Sequence, residues 1–244
     1  MSEKIDVLGV AFDNVTMDEA VERALALMRE RRAAYVVTPN PEIVMDCLAD
    51  AEAMEAVRGA DLTIPDGIGV VYASRILKTP LKEKVGGCDA ALRLMACLDG
   101  REQSVYILGG KPGVAELAVE KLHEQFPKLR FVGTQDGYFS DDAPVIAAVN
   151  AAKPDLLLVC LGAPKQEKWM HANAHELDGG LMIGAGGSVD VFAGTVARAP
   201  EAWCKAGLEW LYRLLKEPRR IKRQIALPKF MLRVIGASMR SGRK

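Results

Sequence analysis

Short apolar runs alternate with longer stretches of helical periodicity along the chain, the pattern of an α/β protein built on a largely parallel sheet. Residues 34–38 read as a strand ending in Thr38-Pro39-Asn40-Pro41, and Pro41 opens a helical pattern to about Arg58. Residues 62–64 form a short strand closed by Pro65-Asp66-Gly67, with a helix over about 68–77. Residues 104–108 are a strand ending in Gly109-Gly110-Lys111-Pro112-Gly113, followed by a helix to about Phe126. Residues 129–132 make another short strand. The clearest apolar run, 155–161, ends in Gly162-Ala163-Pro164-Lys165-Gln166, and the last strand, 181–183, ends in Gly184-Ala185-Gly186-Gly187. In open sheets of this kind ligands bind beyond the carboxyl ends of the strands, where helix N-termini present free N–H groups. The polar and glycine-rich segments all fall there, so a single sheet edge is the expected site.

Past Gly207 the pattern changes. Residues 207–218 place Leu208, Leu211 and Leu215 on one helical face, with Trp210 and Leu214 beside it, until Pro218 interrupts. Cations then mix with Ile, Leu, Phe and Met, with a second break expected at Pro228. Charge sharpens this division. Of 32 basic and 32 acidic residues, residues 211–244 hold eleven Lys or Arg against one acid, which leaves 21 basic against 31 acidic before them. An acidic body over residues 1–207 and a basic, partly apolar appendage over 208–244 are therefore expected. Segments this short and charged do not cross a bilayer, which takes about 20 apolar residues. They suit lying on an anionic membrane, ahead of docking on the body and of nucleic acid.

Half of the 244 residues are hydrophobic, enough for a sizeable core in one α/β domain or a domain with an appendage. The first fifteen residues lack a basic segment followed by an apolar core, so no secretory signal is read there. Five scattered cysteines without CxxC spacing suggest reduced thiols in a cytoplasm.

Asp66 is the first candidate for chemistry. It follows a short strand, in a turn shaped by Pro65 and Gly67, where it is placed to take a proton from an attacking hydroxyl. Capping the next helix is the plainer role. Thr38 and Asn40 offer uncharged hydrogen bonds that suit a sugar hydroxyl or acetamido group; turn formation explains them equally well. Gly109 and Gly110 resemble a phosphate loop, but the run matches neither GxGxxG nor a Walker sequence. Gly187 begins a similar turn, with Asp190 placed for ribose hydroxyls or for capping. Lys165 and Gln166 stand at a helix start, suited to diphosphate or sugar contact, or to an ordinary solvated helix end. His171 and His175 share a helical face at i,i+4 spacing, but HExxH is absent and no third ligand is evident. Nor is there an Asp-x-Asp sequence to hold a divalent ion or a GxSxG hydrolase turn. A sugar diphosphate cleaved here would need protein cations and helix dipoles at its leaving group.

With these residues in view, the chain resembles the TagA/WecG/CpsF family of bacterial glycosyltransferases over about residues 5–223. The resemblance rests on Thr38-Pro39-Asn40, on Ala60-Asp61 leading into Pro65-Asp66-Gly67-Ile68-Gly69, and on Leu161-Gly162-Ala163-Pro164-Lys165-Gln166-Glu167. Gly207-Leu208-Glu209-Trp210 with Tyr212-Arg213 and Glu217-Pro218 completes it. It implies a Rossmann-like fold and an inverting transfer, without metal or cofactor, of N-acetylmannosamine from its UDP donor. The implied acceptor is N-acetylglucosamine on undecaprenyl diphosphate at the inner face of the cell membrane, giving the β1→4 linkage of wall teichoic acid. It implies Asp66 as general base, a sugar site shaped by Thr38, Asn40 and Gln166, and diphosphate neutralisation by Arg213, Arg220 and Arg223 of the appendage. Self-association is also known in such a family. One departure stands out: the family's usual Glu-Arg-Val reads Glu83-Lys84-Val85 here, so Lys84 keeps the charge but loses a bidentate fork. Donors carrying N-acetylmannosaminuronic acid or glucose remain open. So do two rivals, a nucleotide-dependent oxidoreductase or epimerase, and a nucleotide-sensing module tethered by its tail; nucleic-acid binding is the least favoured reading.

Overall fold

The structure, a computed structural model, describes residues 3–30, 32–205, 207–216, 218, 221 and 225–241. Arg220 and Arg223 lie outside them, and the side chain of Arg213 is not among those described.

The chain opens with an antiparallel hairpin of β1 (Lys4–Val7) and β2 (Val10–Asp13), turned through Leu8 and Gly9, both at positive φ. Then come α1 (Met17–Arg29), β3 (Ala34–Val37), α2 (Pro41–Ala49), α3 (Ala51–Arg58), β4 (Leu62–Thr63), α4 (Ile68–Ile76) and α5 (Gly87–Leu98). They are followed by β5 (Ser104–Gly109), α6 (Val114–Gln125), β6 (Arg130–Gln135), α7 (Ala143–Ala152), β7 (Leu156–Cys160) and α8 (Lys165–Asn173). The series ends with β8 (Leu181–Gly184), α9 (Ser188–Phe192), α10 (Glu201–Lys205), α11 (Glu209–Lys216) and α12 (Ala226–Ser241). Six strands form one parallel sheet in the order β4-β3-β8-β7-β5-β6. The chain runs outward to β4 at one edge and to β6 at the other, then fills the middle with β7 and β8. That crossing opens a crevice at the carboxyl ends of the strands.

Alternate strand residues feed two cores. Val36, Ile107, Leu158 and Ile183 face the side covered by α1, α5, α6 and α9. Tyr35, Val37, Leu108, Leu157 and Met182 face the side covered by α2, α3, α4, α7, α8 and α12. Strands buried on both faces explain why the runs at 34–38, 104–108 and 155–161 read as continuous rather than alternating.

The α/β class and parallel sheet are as expected, with local differences. The pattern from Pro41 to Arg58 is two helices. Asp50 sits at φ −135° between them, ending α2 and capping α3 by accepting from Glu52 N at 3.0 Å and Ala53 N at 3.2 Å. Pro228 is not a break: it lies in the first turn of α12, where a missing N–H costs nothing. This helix is docked on α2 and α4, with Phe230 and Val234 fully buried in the second core. The hairpin, unread in the sequence, anchors the short edge strand. Asp13, fully buried, accepts from Thr63 N at 2.9 Å and from Arg23 Nη1 at 2.8 Å. Among the described residues no helix is long and apolar enough to cross a membrane.

Candidate functional site

Two tight crossings build the working end of the sheet. Asp66 N donates to Pro39 O at 3.1 Å and Val85 N donates to Pro65 O at 2.9 Å, so the segments leaving β3 and β4 and the one entering α5 are tied side by side. Gly67, at φ +87°, then starts α4 with no side-chain cap. The N-cap position of that helix thus belongs to Gly67 rather than to Asp66. Gly69 lets α4 pass α2 closely, since a Cβ there would stand 2.7 Å from Pro41 Cγ.

These segments line a cavity of about 570 Å³ that extends across the sheet edge. Of the expected site residues, Thr38, Asn40, Asp66, Lys84, Gly110, Gln166, Gly187 and Asp190 all line it. Thr38 is buried and donates to Gly184 O at 3.0 Å, leaving its oxygen as an acceptor; it supports the bare backbone of Gly87, where a Cβ would stand 2.9 Å from Thr38 Oγ1. Asn40 caps α2 through Oδ1, which accepts from Glu42 N at 2.9 Å and Ile43 N at 3.1 Å. Its orientation is thereby fixed, with the Nδ2 donors left for a ligand. Gln166 is buried, its Oε1 accepting from Gly186 N at 2.9 Å.

Asp66, Asp89 and Lys84 surround the backbone of Gly86. A Cβ on that glycine would lie 3.3 Å from Asp89 Oδ2, 3.7 Å from Lys84 Cε and 3.8 Å from Asp66 Oδ1. Lys84 Nζ donates to Glu209 Oε2 at 3.2 Å. Burial works against the charge on Lys84, but Glu209, Asp66 and Asp89 outweigh it and raise its pKa. Asp89 in turn pairs with Arg198, whose pKa is raised by Asp89 against the opposing effect of burial.

Two expected residues stand elsewhere. Gly109, at φ +129°, lies against the neighbouring strand, where a Cβ would be 2.3 Å from Cys160 O. Its bareness serves strand packing. Lys165 is exposed, holds its Nζ 4.7 Å from the Phe139 ring centroid, and donates to Gly137 O at 3.3 Å, bracing the loop after β6. His171 Nδ1 lies 3.0 Å from Tyr35 Oη.

Lys111, Cys88, Asp89, Tyr138, Arg198, Glu209, Trp210 and Leu227 also line the cavity. No local motif marks Arg198, Tyr138 or Leu227; long-range packing brings them in. Glu209, Trp210 and Leu227 matter most, because they belong to the expected appendage and make one wall of the cavity. Among the described residues, the lining carries five carboxylates, Glu42, Asp66, Asp89, Asp190 and Glu209, against three cations, Lys84, Lys111 and Arg198.

Known proteins resemble this chain in sequence over most of its length. Residues 5–244 match the family described as the Glycosyl transferase WecG/TagA/CpsF family. A protein of Staphylococcus aureus (strain MW2) is 35% identical over 237 residues, 96% of this chain and 93% of the relative. Relatives in Bacillus spizizenii and Bacillus subtilis (strain 168) are each 34% identical over 206 residues, 84% of this chain and 80% of the relative. All three bear the name N-acetylglucosaminyldiphosphoundecaprenol N-acetyl-beta-D-mannosaminyltransferase. The chain belongs to the WecG/TagA/CpsF family and is a glycosyltransferase.

Proposed function

From that membership, we propose that this chain moves N-acetylmannosamine from UDP-N-acetylmannosamine to N-acetylglucosaminyl-diphospho-undecaprenol, in a wall teichoic acid linkage unit. Asp66 takes the proton of the acceptor hydroxyl as its oxygen bonds to the anomeric carbon. The bond from that carbon to the diphosphate oxygen breaks on the opposite face, so the configuration inverts, and the electron pair leaves with UDP. Thr38, Asn40 and Gln166 hold the sugar.

The observation that carries this reading is Asp66 itself: a carboxylate on the cavity wall, held in the field of Lys84. Charge supports the rest. With five carboxylates against three cations, the described lining is short of positive charge for a diphosphate. Arg213, Arg220 and Arg223 follow closely in sequence on Glu209 and Trp210, which line the cavity, and supply that charge. They take the part a metal plays in other sugar-nucleotide enzymes. Because they belong to a basic appendage, the enzyme works as a peripheral protein on the inner membrane surface, where its lipid-linked acceptor is held.

The test is product analysis with a panel of UDP-sugars and a short-chain analogue of the lipid-linked acceptor. The expected product from UDP-N-acetylmannosamine is a β1→4 disaccharide, formed in the presence of a chelator. Asp66→Asn is expected to slow turnover by about 10²–10⁴-fold while donor affinity persists. Undiminished turnover by this variant removes Asp66 from the mechanism, and transfer of another sugar alone overturns the donor assignment.

A further inference from the structure

Glu167 is a buried ionisable group next to the cavity-lining Gln166. It is wholly enclosed, its Oε1 accepts from Gln166 Nε2 at 2.8 Å, and its Oε2 has no hydrogen-bond partner among the described residues. The proton transfer proposed above does not use it. Burial pushes its pKa up, against the hydrogen bonds from Gln166 and from its own backbone and with a minor push from Asp46 on α2, so the group holds its proton beyond the ordinary carboxyl range. A neutral carboxyl still presents a carbonyl-type oxygen, and that oxygen receives the Gln166 amide.

Gln166 is constrained from both ends. Gly186 N–H points at its Oε1 from 2.9 Å, and Glu167 accepts from its Nε2. The amide also sits against the bare backbone of Gly184, where a Cβ would come within 2.9 Å of Nε2. A carboxamide has two flips of nearly equal shape and opposite hydrogen-bonding sense. The wrong flip would set an NH₂ group against the Gly186 N–H and lose the bond to Glu167. The right one leaves one Nε2–H and one Oε1 lone pair unassigned on a side chain that lines the cavity.

We propose that Glu167 is a positioning residue: its buried carboxyl, together with the Gly186 amide, locks the Gln166 carboxamide in one orientation. The remaining donor and acceptor are thereby offered as a fixed pair to the hydroxyl or acetamido group of the donor sugar. This rests on the sugar-nucleotide reading above and assigns part of its sugar specificity to a residue that never touches the sugar.

Calorimetric titration of the full chain with UDP-N-acetylmannosamine and with UDP alone tests it. Glu167→Met conserves volume and removes the acceptor, and losing a buried carboxyl without a second partner leaves the fold intact by melting. E167M is expected to bind UDP like the wild type but the sugar nucleotide about tenfold more weakly. Glu167→Gln keeps an accepting oxygen and is expected to stay within about threefold of wild type. Combining E167M with Gln166→Ala is expected to cost no more than Q166A alone, since both remove one interaction. Glu167→Leu carries the same expectations should E167M fail to fold. Additive losses, equal weakening for UDP and UDP-sugar, or wild-type sugar affinity in E167M overturn the positioning role and leave the proposed function standing. A folded wild type that binds no UDP-sugar overturns both.

Discussion

At the scale of single residues, the site uses groups whose backbone duties fix their orientation. Asn40 shows this best, because its side-chain oxygen caps α2 while the residue lines the cavity. Asn40→Asp keeps the cap, so stability is expected to hold within about 0.5 kcal/mol, while donor affinity falls because two N–H groups become a second carboxylate. Asn40→Ala removes the cap as well and is expected to cost about 1 kcal/mol. Equal melting of the Asp and Ala variants in a denaturant series would contradict the division of labour. Glu167 gives a pH signature of its own. Its folded pKa lies above the usual 4.5, raised chiefly by burial, so it favours folding fully below that value and loses this contribution as pH rises through the folded pKa. Glu167→Gln does not titrate, so its stability relative to wild type is expected to improve between pH 5 and 8. Parallel urea midpoints across that window would rule this out. The sequence displayed Asp66, Asn40 and Gln166 because each follows a strand end, a position with a meaning in this fold class. It hid the division of labour at each one, because that depends on which backbone groups approach in three dimensions.

At the scale of elements, legibility follows burial. Strands β3, β5, β7 and β8 are apolar on both faces and show as runs of Val, Leu and Ile. Helix α7 is nearly all Ala, Val and Ile, so it has little polar face to give it a period, and it passed unread. The hairpin of β1 and β2 was missed because four-residue strands give too few alternations to register. That omission concealed how β4, only two residues long, is held in place by Asp13 from the hairpin. At the other end of the chain, helical periodicity was visible but its docking was not, since the same amphipathic stripe serves a membrane or a protein surface. Phe230 decides how firmly α12 is attached. Phe230→Ala removes a fully buried ring between α2 and α4 and is expected to cost about 3–5 kcal/mol, with early proteolytic release of the last helix. A variant that resists protease like the wild type would show that the helix is held by something other than this core.

At the scale of the whole molecule, the C-terminal segment reaches the site: Glu209 and Trp210 of α11 and Leu227 of α12 line the cavity. Removing residues 208–244 would therefore confuse two effects, because it also strips Phe230 and Val234 from the core. Neutralising charge separates them. Replacing Arg213, Arg220 and Arg223 together by Gln is expected to leave the melting temperature near wild type and to lower turnover by at least tenfold, with vesicle binding also reduced. The docked helix supports the last expectation: its Leu232, Ile235 and Met239 are exposed while Phe230 and Val234 face inward. A helix held by one face and apolar on another can lie between protein and lipid, with Lys229, Arg233 and Arg240 available to anionic headgroups. Binding to anionic vesicles should then weaken as salt shortens the screening length from about 10 Å at 0.1 M to about 3 Å at 1 M, and neutral vesicles should bind far less. If the triple variant turns over the soluble acceptor analogue at the wild-type rate, the arginines serve the membrane alone, and the charge needed at the departing UDP must come from Lys84, Lys111 and Arg198.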